Sequence, residues 1–311
     1  MGNSKSNLIV VLGPTASGKT DLGIYLAKRF SGEVVSADSM QVYRGMHIAS
    51  AAPDESEMQG IKHHLIEFLN ADEPFNVSDY VNLADDTIKG IYSRNNVPFV
   101  VGGTGLYVNS LTESIDFGDA VPDNELRGKI EAEYDALGGE KMLEKLSELD
   151  ADYAKTLHRN DRKRIVRALE IIETTGQTVT KRLEESKLGD KKYRVLYLGV
   201  AFSDREKLYD RINHRVDMML KAGLEEEARE AYLSNRTTSA QAIGHKELFD
   251  YFEGNKTLEE AVDFLKMQTR RYAKRQLTWF RRNPDINWLY RDTEDIYSKA
   301  ERLVEEFLKE G

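Results

Sequence analysis

Residues Gly13-Pro14-Thr15-Ala16-Ser17-Gly18-Lys19-Thr20 have the types and spacing of a phosphate-binding loop, G-x-x-x-x-G-K-[ST]. In such a loop, backbone N–H groups and the start of the next helix surround a polyphosphate. The lysine adds a point charge, and the final hydroxyl is placed to ligate Mg²⁺. The octapeptide alone leaves open a plain glycine-rich turn. Its setting favours the anion, because the apolar run Leu8-Ile9-Val10-Val11-Leu12 precedes it and the helix-like run Asp21–Phe30 follows. The motif calls for a bound polyphosphate, such as ATP or another nucleotide, without choosing among them.

Two basic segments add a second kind of chemistry. One is His158–Arg167; the other is Lys266–Arg282, with seven Lys/Arg and no acidic residue. Tyr272, Trp279 and Phe280 lie among the cations of the second, which suits phosphate contact combined with base stacking. A solvated helix face is the other reading of each run. The chain's net charge of −9 does not decide the matter, because acid is concentrated elsewhere, at Glu225–Glu227 and Glu301–Glu310. Local patches set the field that a polyanion meets.

Positioning these groups requires a sheet. Strands are predicted at Leu8–Leu12, Glu33–Ala37, His64–Phe68 and Val97–Val101, with helices at Lys19–Phe30 and Val77–Arg94 between them. Apolar strands alternating with helices predict an α/β fold: a P-loop-type parallel sheet flanked by helices, with ligands at the strands' C-terminal ends. Gly13–Thr20, Asp38–Gly45 and Gly102-Gly103-Thr104-Gly105 all fall there. From about Phe117 the pattern turns helical, with Leu126, Ile130, Leu137, Leu143, Leu146 and Leu149 spaced for burial, and a further helix from Asp161 ends at Gly176. A polar stretch, Lys181–Lys192, leads to a strand at Tyr193–Phe202; helices to Arg282, a strand at Ile286–Tyr290 and a last helix follow. The expected organisation is a core of residues 1–117 and 191–311 carrying a helical insertion at 118–190.

At 311 residues there is ample chain for a core, and the absence of cysteine excludes disulfides and thiolate metal sites. Met1–Asn7 is short and polar, with no signal peptide, and no run approaches a membrane span. A cytoplasmic protein without membrane attachment is expected, acting as a monomer. The six histidines are scattered or, at His63-His64, adjacent, and suggest no metal site.

Five motifs in order carry a resemblance. After the P-loop come Asp38-Ser39-Met40-Gln41-Val42-Tyr43-Arg44-Gly45, Val101–Tyr107, Arg164–Glu170, Ala242-Ile243-Gly244-His245-Lys246-Glu247 and Arg271–Arg281. Over about residues 8–290 this resembles the tRNA dimethylallyltransferase (tRNA isopentenyltransferase) family, bacterial type. That resemblance implies transfer of a dimethylallyl group from dimethylallyl diphosphate to the N6 amine of the adenine 3′ of the anticodon, with Mg²⁺ as cofactor. It implies that Gly13–Thr20 holds the donor's diphosphate and that the tRNA anticodon stem-loop is the partner. The family's usual G-Y-K-E reads Gly244-His245-Lys246-Glu247 here.

On this resemblance Asp38 is the candidate base for a weakly nucleophilic amine, a residue orienting Mg²⁺ or capping a helix being the alternative. Ser17, Gly18, Lys19 and Thr20 oppose the charge of the leaving diphosphate, joined by Arg215 or Arg211, one helical turn apart. Thr104 contacts the target nucleotide or stabilises its turn. Ser39, Met40 and Gln41 recognise the base, Gln41 having both a donor and an acceptor. Contacts with tRNA are expected from Arg127, Lys163, Arg164 and Arg167 in the insertion. Gly244, His245, Lys246, Arg270, Arg271, Lys274, Arg275, Gln276 and Trp279 would supply the rest. Rival readings are an ATP-dependent small-molecule kinase, against which Val97–Val101 ends in Gly102-Gly103-Thr104 without an Mg²⁺-holding aspartate, and a nucleotide-dependent RNA-binding switch.

Overall fold

The first element is the strand β1, Ser6–Leu12, in which Leu8 to Val11 have no solvent exposure. A strand buried on both faces must be apolar throughout, which is why it reads as a continuous run without alternation. It lies in a parallel sheet with β2 (Gly32–Ser36), β3 (His63–His64), β4 (Val97–Gly102), β5 (Tyr193–Ala201) and β6 (Ile286–Tyr290), in the order β3-β2-β4-β1-β5-β6. Ile9 pairs with Phe99 on one side and Leu196 on the other. These side chains, with Leu22 and Leu26 of the helix Lys19–Arg29 and Val304 of the helix Ile296–Lys309, form the main core. The fold is thus α/β, with a six-stranded parallel sheet and flanking helices.

The computed structural model describes residues 5–114, 123–188, 191–234 and 242–310. Two compact units divide it: the residues up to Thr112 together with those from Lys192 onward, and Glu113–Lys191. The expected insertion limits, 118 and 190, and the change of pattern at Phe117 lie outside the described residues.

One predicted strand is corrected. Of the run expected to pair from His64 to Phe68, only His64 joins the sheet, in the two-residue strand His63–His64, because φ is 60° at Leu65 and 47° at Glu67. Its apolar residues serve another purpose: Phe68 packs with Val42, Tyr43, Met46 and Phe75. The Phe68 and Leu69 N–H groups donate to Val42 O, fastening this segment to the loop after β2.

Helix starts follow local capping. Asn76 with Asp79 and Thr257 with Glu260 form reciprocal capping boxes at the helices Val77–Ser93 and Leu258–Phe280. Asp204 caps Arg205–Lys221 through the Glu206 N–H.

The unit Glu113–Lys191 has its own core of Ile130, Met142, Leu146, Ile165, Val166 and Leu169, contributed by the helices Asn124–Leu137, Gly139–Leu149 and Arg162–Thr175. Leu137 and Leu149, expected inside, are 46% exposed, since each ends its helix. The polar stretch after Gly176 is in part a helix, Val179–Leu188.

Candidate functional site

β2, β4 and β1 are neighbours in the sheet, so the loops after them open along one edge. After β1 the chain turns through Gly18, whose φ of +88° only glycine adopts freely, into the helix Lys19–Arg29. The first intrahelical bond runs from Leu22 N–H to Gly18 O, which leaves the N–H groups of Lys19, Thr20 and Asp21 without helical partners. These are the donors that an anion would meet. Two other loop amides are already engaged: Ser17 N–H donates to Pro14 O (3.3 Å) and Thr15 N–H to Gln276 Oε1 (2.9 Å). The Ser17 hydroxyl is buried without a partner among the described residues.

A cleft of about 1310 Å³ opens beside this loop. Gly18, Lys19 and Thr20 line it, with Arg211, His214 and Arg215 from the helix Arg205–Lys221 and the segment His47–Asp54. Arg211 Nε donates to Ala16 O (3.0 Å), so this guanidinium holds the loop. Burial lowers the affinity of Arg215 for its proton, opposed mainly by the negative charge of Asp38. Burial likewise pulls Lys19 down to about 8, with Asp38 opposing the shift and Arg215 adding to it. Two desolvated cations and one carboxylate therefore share a single field.

Asp38 follows β2. Its Oδ1 accepts the Met40 N–H (2.9 Å), and Oδ2 has no hydrogen-bond partner among the described residues. Thr104, after β4, accepts the Ser39 N–H at Oγ1 (3.0 Å), while Thr104 N–H donates to Ala37 O (3.0 Å). The turn-stabilising role of Thr104 is thus realised. The Tyr272 hydroxyl faces Thr104 and Gln276 near Asp38, and burial raises its affinity for the proton.

Several expected contacts turn out to be internal. Gln276 is buried; its Nε2 donates to Gly103 O (2.9 Å) while Oε1 accepts from Thr15, so it clamps the loops after β1 and β4 and has no end left for RNA. Gln41 was expected at the adenine edge, but its Oε1 accepts from Ser36 Oγ (2.8 Å) and its Nε2 donates to Ala51 O (3.2 Å). Met40 packs beside Val42 and Met46. Gly244 and His245 are buried, and His245 Nε2 lies 2.8 Å from Glu227 Oε1, so neither meets a polyanion. Arg127 and Arg167 both bind the fully buried Glu170 at about 3 Å. Their charge is partly committed to folding the Glu113–Lys191 unit.

Other cations remain outside. Arg271, Lys274 and Arg275 form an exposed stripe on the helix Leu258–Phe280, and Lys246, Lys163 and Arg164 are exposed too. Arg270 donates to Asn213 Oδ1 (2.6 Å), and Arg282 stacks over the half-buried Trp279 at 5.6 Å. Tyr272, expected to stack on a base, instead turns its hydroxyl toward Thr104 and Gln276. One participant carried no motif signal: Arg291, whose Nη1 lies 3.5 Å from Gly18 O and 3.4 Å from Asp21 Oδ2, follows an edge strand. Its place just past the C-terminal end of β6 was the available clue.

Residues 41–283 match the profile of the family described as IPP transferase, and residues 6–71 that of isopentenyl transferase. The chain is 44% identical over 305 residues to the tRNA dimethylallyltransferase of Acetivibrio thermocellus, with 97% of each chain covered. Among solved structures it is similar to the full-length tRNA isopentenylpyrophosphate transferase of Bacillus halodurans (42% identity, TM-score 0.74, 98% of each chain). It is also similar to a eukaryotic dimethylallyltransferase captured acting on tRNA (28% identity, TM-score 0.85, 99% of this chain and 80% of that one).

Proposed function

The chain belongs to the IPP transferase family, and on that premise we propose that it moves a dimethylallyl group from dimethylallyl diphosphate to the N6 amine of the adenine 3′ of a tRNA anticodon. The observation that carries this reading is one carboxylate, Asp38, set in the field of two desolvated cations, Lys19 and Arg215, at the edge that bears the phosphate loop. A phosphate site alone serves many reactions; a carboxylate open at Oδ2 beside it serves one in which a proton must leave as a diphosphate departs.

The bond between the allylic carbon and the diphosphate oxygen breaks, and its electron pair leaves with the diphosphate. The N6 lone pair forms the new C–N bond, and the N6 proton passes to Asp38 Oδ2. Lys19, Arg215 and the free amides of Lys19 and Thr20 stand where oxygen charge develops, and being preorganised they need no rearrangement to stabilise it. Thr20, lining the cleft beside Lys19, would supply the hydroxyl that holds phosphate-bound Mg²⁺. When bound, the ion would spread the charge of the leaving group. Ser39 and Thr104 keep the loops after β2 and β4 together, so that a base extruded from the anticodon loop finds Asp38 in place. The exposed stripe Arg271, Lys274 and Arg275 is offered to the anticodon stem-loop backbone, with Lys163 and Arg164 as further phosphate contacts.

Purified protein with Mg²⁺, unmodified tRNA and radiolabelled dimethylallyl diphosphate should label the tRNA, with labelled ATP inert in a parallel reaction. Phosphate moving from ATP to a small molecule, with no prenyl transfer, would overturn the reading in favour of a kinase.

A further inference from the structure

The segment His47–Asp54 forms one wall of the cleft, through His47, Ile48, Ala51, Ala52, Pro53 and Asp54. It begins with a single helical turn, His47–Ser50, whose preceding residue, Met46, supplies no side-chain cap. Uncapped first-turn N–H groups normally make such a turn fray. Here a distant carboxylate replaces the cap. Glu227 Oε2 accepts the Ile48 N–H (2.8 Å) and Oε1 the Ala49 N–H (2.9 Å). Oε1 also accepts from His245 Nε2 (2.8 Å), whose ring has no solvent exposure. Gly244 closes the same contact from the backbone: with φ at +117°, a Cβ there would come within 3.2 Å of Ala49 Cβ. At the other end of the turn, Gln41 Nε2 holds Ala51 O.

We propose that Glu227 and His245 form a positioning pair that sets this wall and thereby governs affinity for the allylic diphosphate, without touching the substrate. His245 orients the carboxylate, and the carboxylate orders the turn. The motif Gly244-His245-Lys246-Glu247 is then a brace for the donor cleft, with only Lys246 facing outward. The donor half of the proposal rests on the functional reading above.

The test compares His245→Leu, which deletes the donor to Glu227, with His245→Gln, whose Nε2 can replace it, and Glu227→Gln, which loses the charge. With the full chain, unmodified tRNA and dimethylallyl diphosphate, His245→Leu and Glu227→Gln should raise the KM for the donor roughly tenfold or more, with kcat and the KM for tRNA changed less than about threefold. His245→Gln should recover most of the loss. In parallel, hydrogen exchange should show Ile48 and Ala49 amides protected in the parent and unprotected in His245→Leu, with β1 amides protected in both. A loss confined to kcat, equal losses for both substrates, or a glutamine variant as poor as leucine would overturn the proposal. So would unchanged Ile48 and Ala49 exchange, a readout that needs no donor and holds even if a variant is inactive. A parent chain inert toward the donor would instead overturn the functional reading and the donor half with it, while exchange still decides whether the brace exists.

Discussion

Asp38 illustrates how much one residue depends on its surroundings. An aspartate is a modest base, and here its carboxylate shares one field with the desolvated cations Lys19 and Arg215. The N6 proton becomes acidic only as the C–N bond forms, so transfer belongs to the transition state. Asp38→Asn should therefore lower single-turnover rates by roughly 10²–10⁴-fold, with donor and tRNA binding, measured separately, nearly unchanged. Lys19 makes a second prediction. Burial lowers it to about 8, and only the ammonium attracts a diphosphate. Donor affinity should hold below that pH and fall as pH rises through it, by about tenfold per unit well above. In Lys19→Arg, which keeps its charge throughout, this alkaline loss should vanish whatever the variant's absolute affinity, and titration calorimetry with inorganic diphosphate would show it.

At the scale of elements, the site is an alignment of three strand ends. Gly102, the last residue of β4, packs so closely on the loop after β2 that a Cβ would lie 2.1 Å from Ala37 O. Backbone cannot give way there without carrying Asp38 along. Gly102→Ala should thus cost kcat on the order of 10²-fold, the penalty for misplacing a reacting group by about an ångström. A chain that kept full kcat would show the alignment to be looser than the contacts imply. The helix Leu258–Phe280 has divided duties. Ala273, Gln276 and Phe280 face inward and Arg271, Lys274 and Arg275 outward, so one helix braces the loops after β1 and β4 and presents cations. Its 3.6-residue period was legible in the sequence as a basic stripe. That Gln276 lies on the inner side was not, because a glutamine among arginines reads as one more RNA contact.

For the whole molecule, a net charge of −9 and a cationic helix coexist because charge is segregated. Affinity for tRNA should fall steeply with salt, and replacing Arg271, Lys274 and Arg275 by glutamine should reduce the log–log slope by roughly 2–3 while leaving the KM for the donor unchanged. An unaltered slope in filter binding would place the RNA elsewhere. No described helix is long and apolar enough to cross a membrane. The sequence by itself determined the parallel sheet, since continuous apolar strands and intervening helices have few other ways to bury themselves, and it located the phosphate loop, whose chemistry is local to eight residues. It put Arg211 and Arg215 together on one helix face, and only packing separated a desolvated cation from one that holds Ala16 O. Tertiary structure alone decided which polar residues serve the protein. Gln276 bonds to Thr15 and Gly103, 261 and 173 residues away, and Glu227 to Ile48, 179 residues away, while Gln41 holds Ala51 across 10 residues and His245 holds Glu227 across 18. A hydrogen bond between such distant residues leaves no periodicity in the sequence, whereas burial of a strand or helix face does.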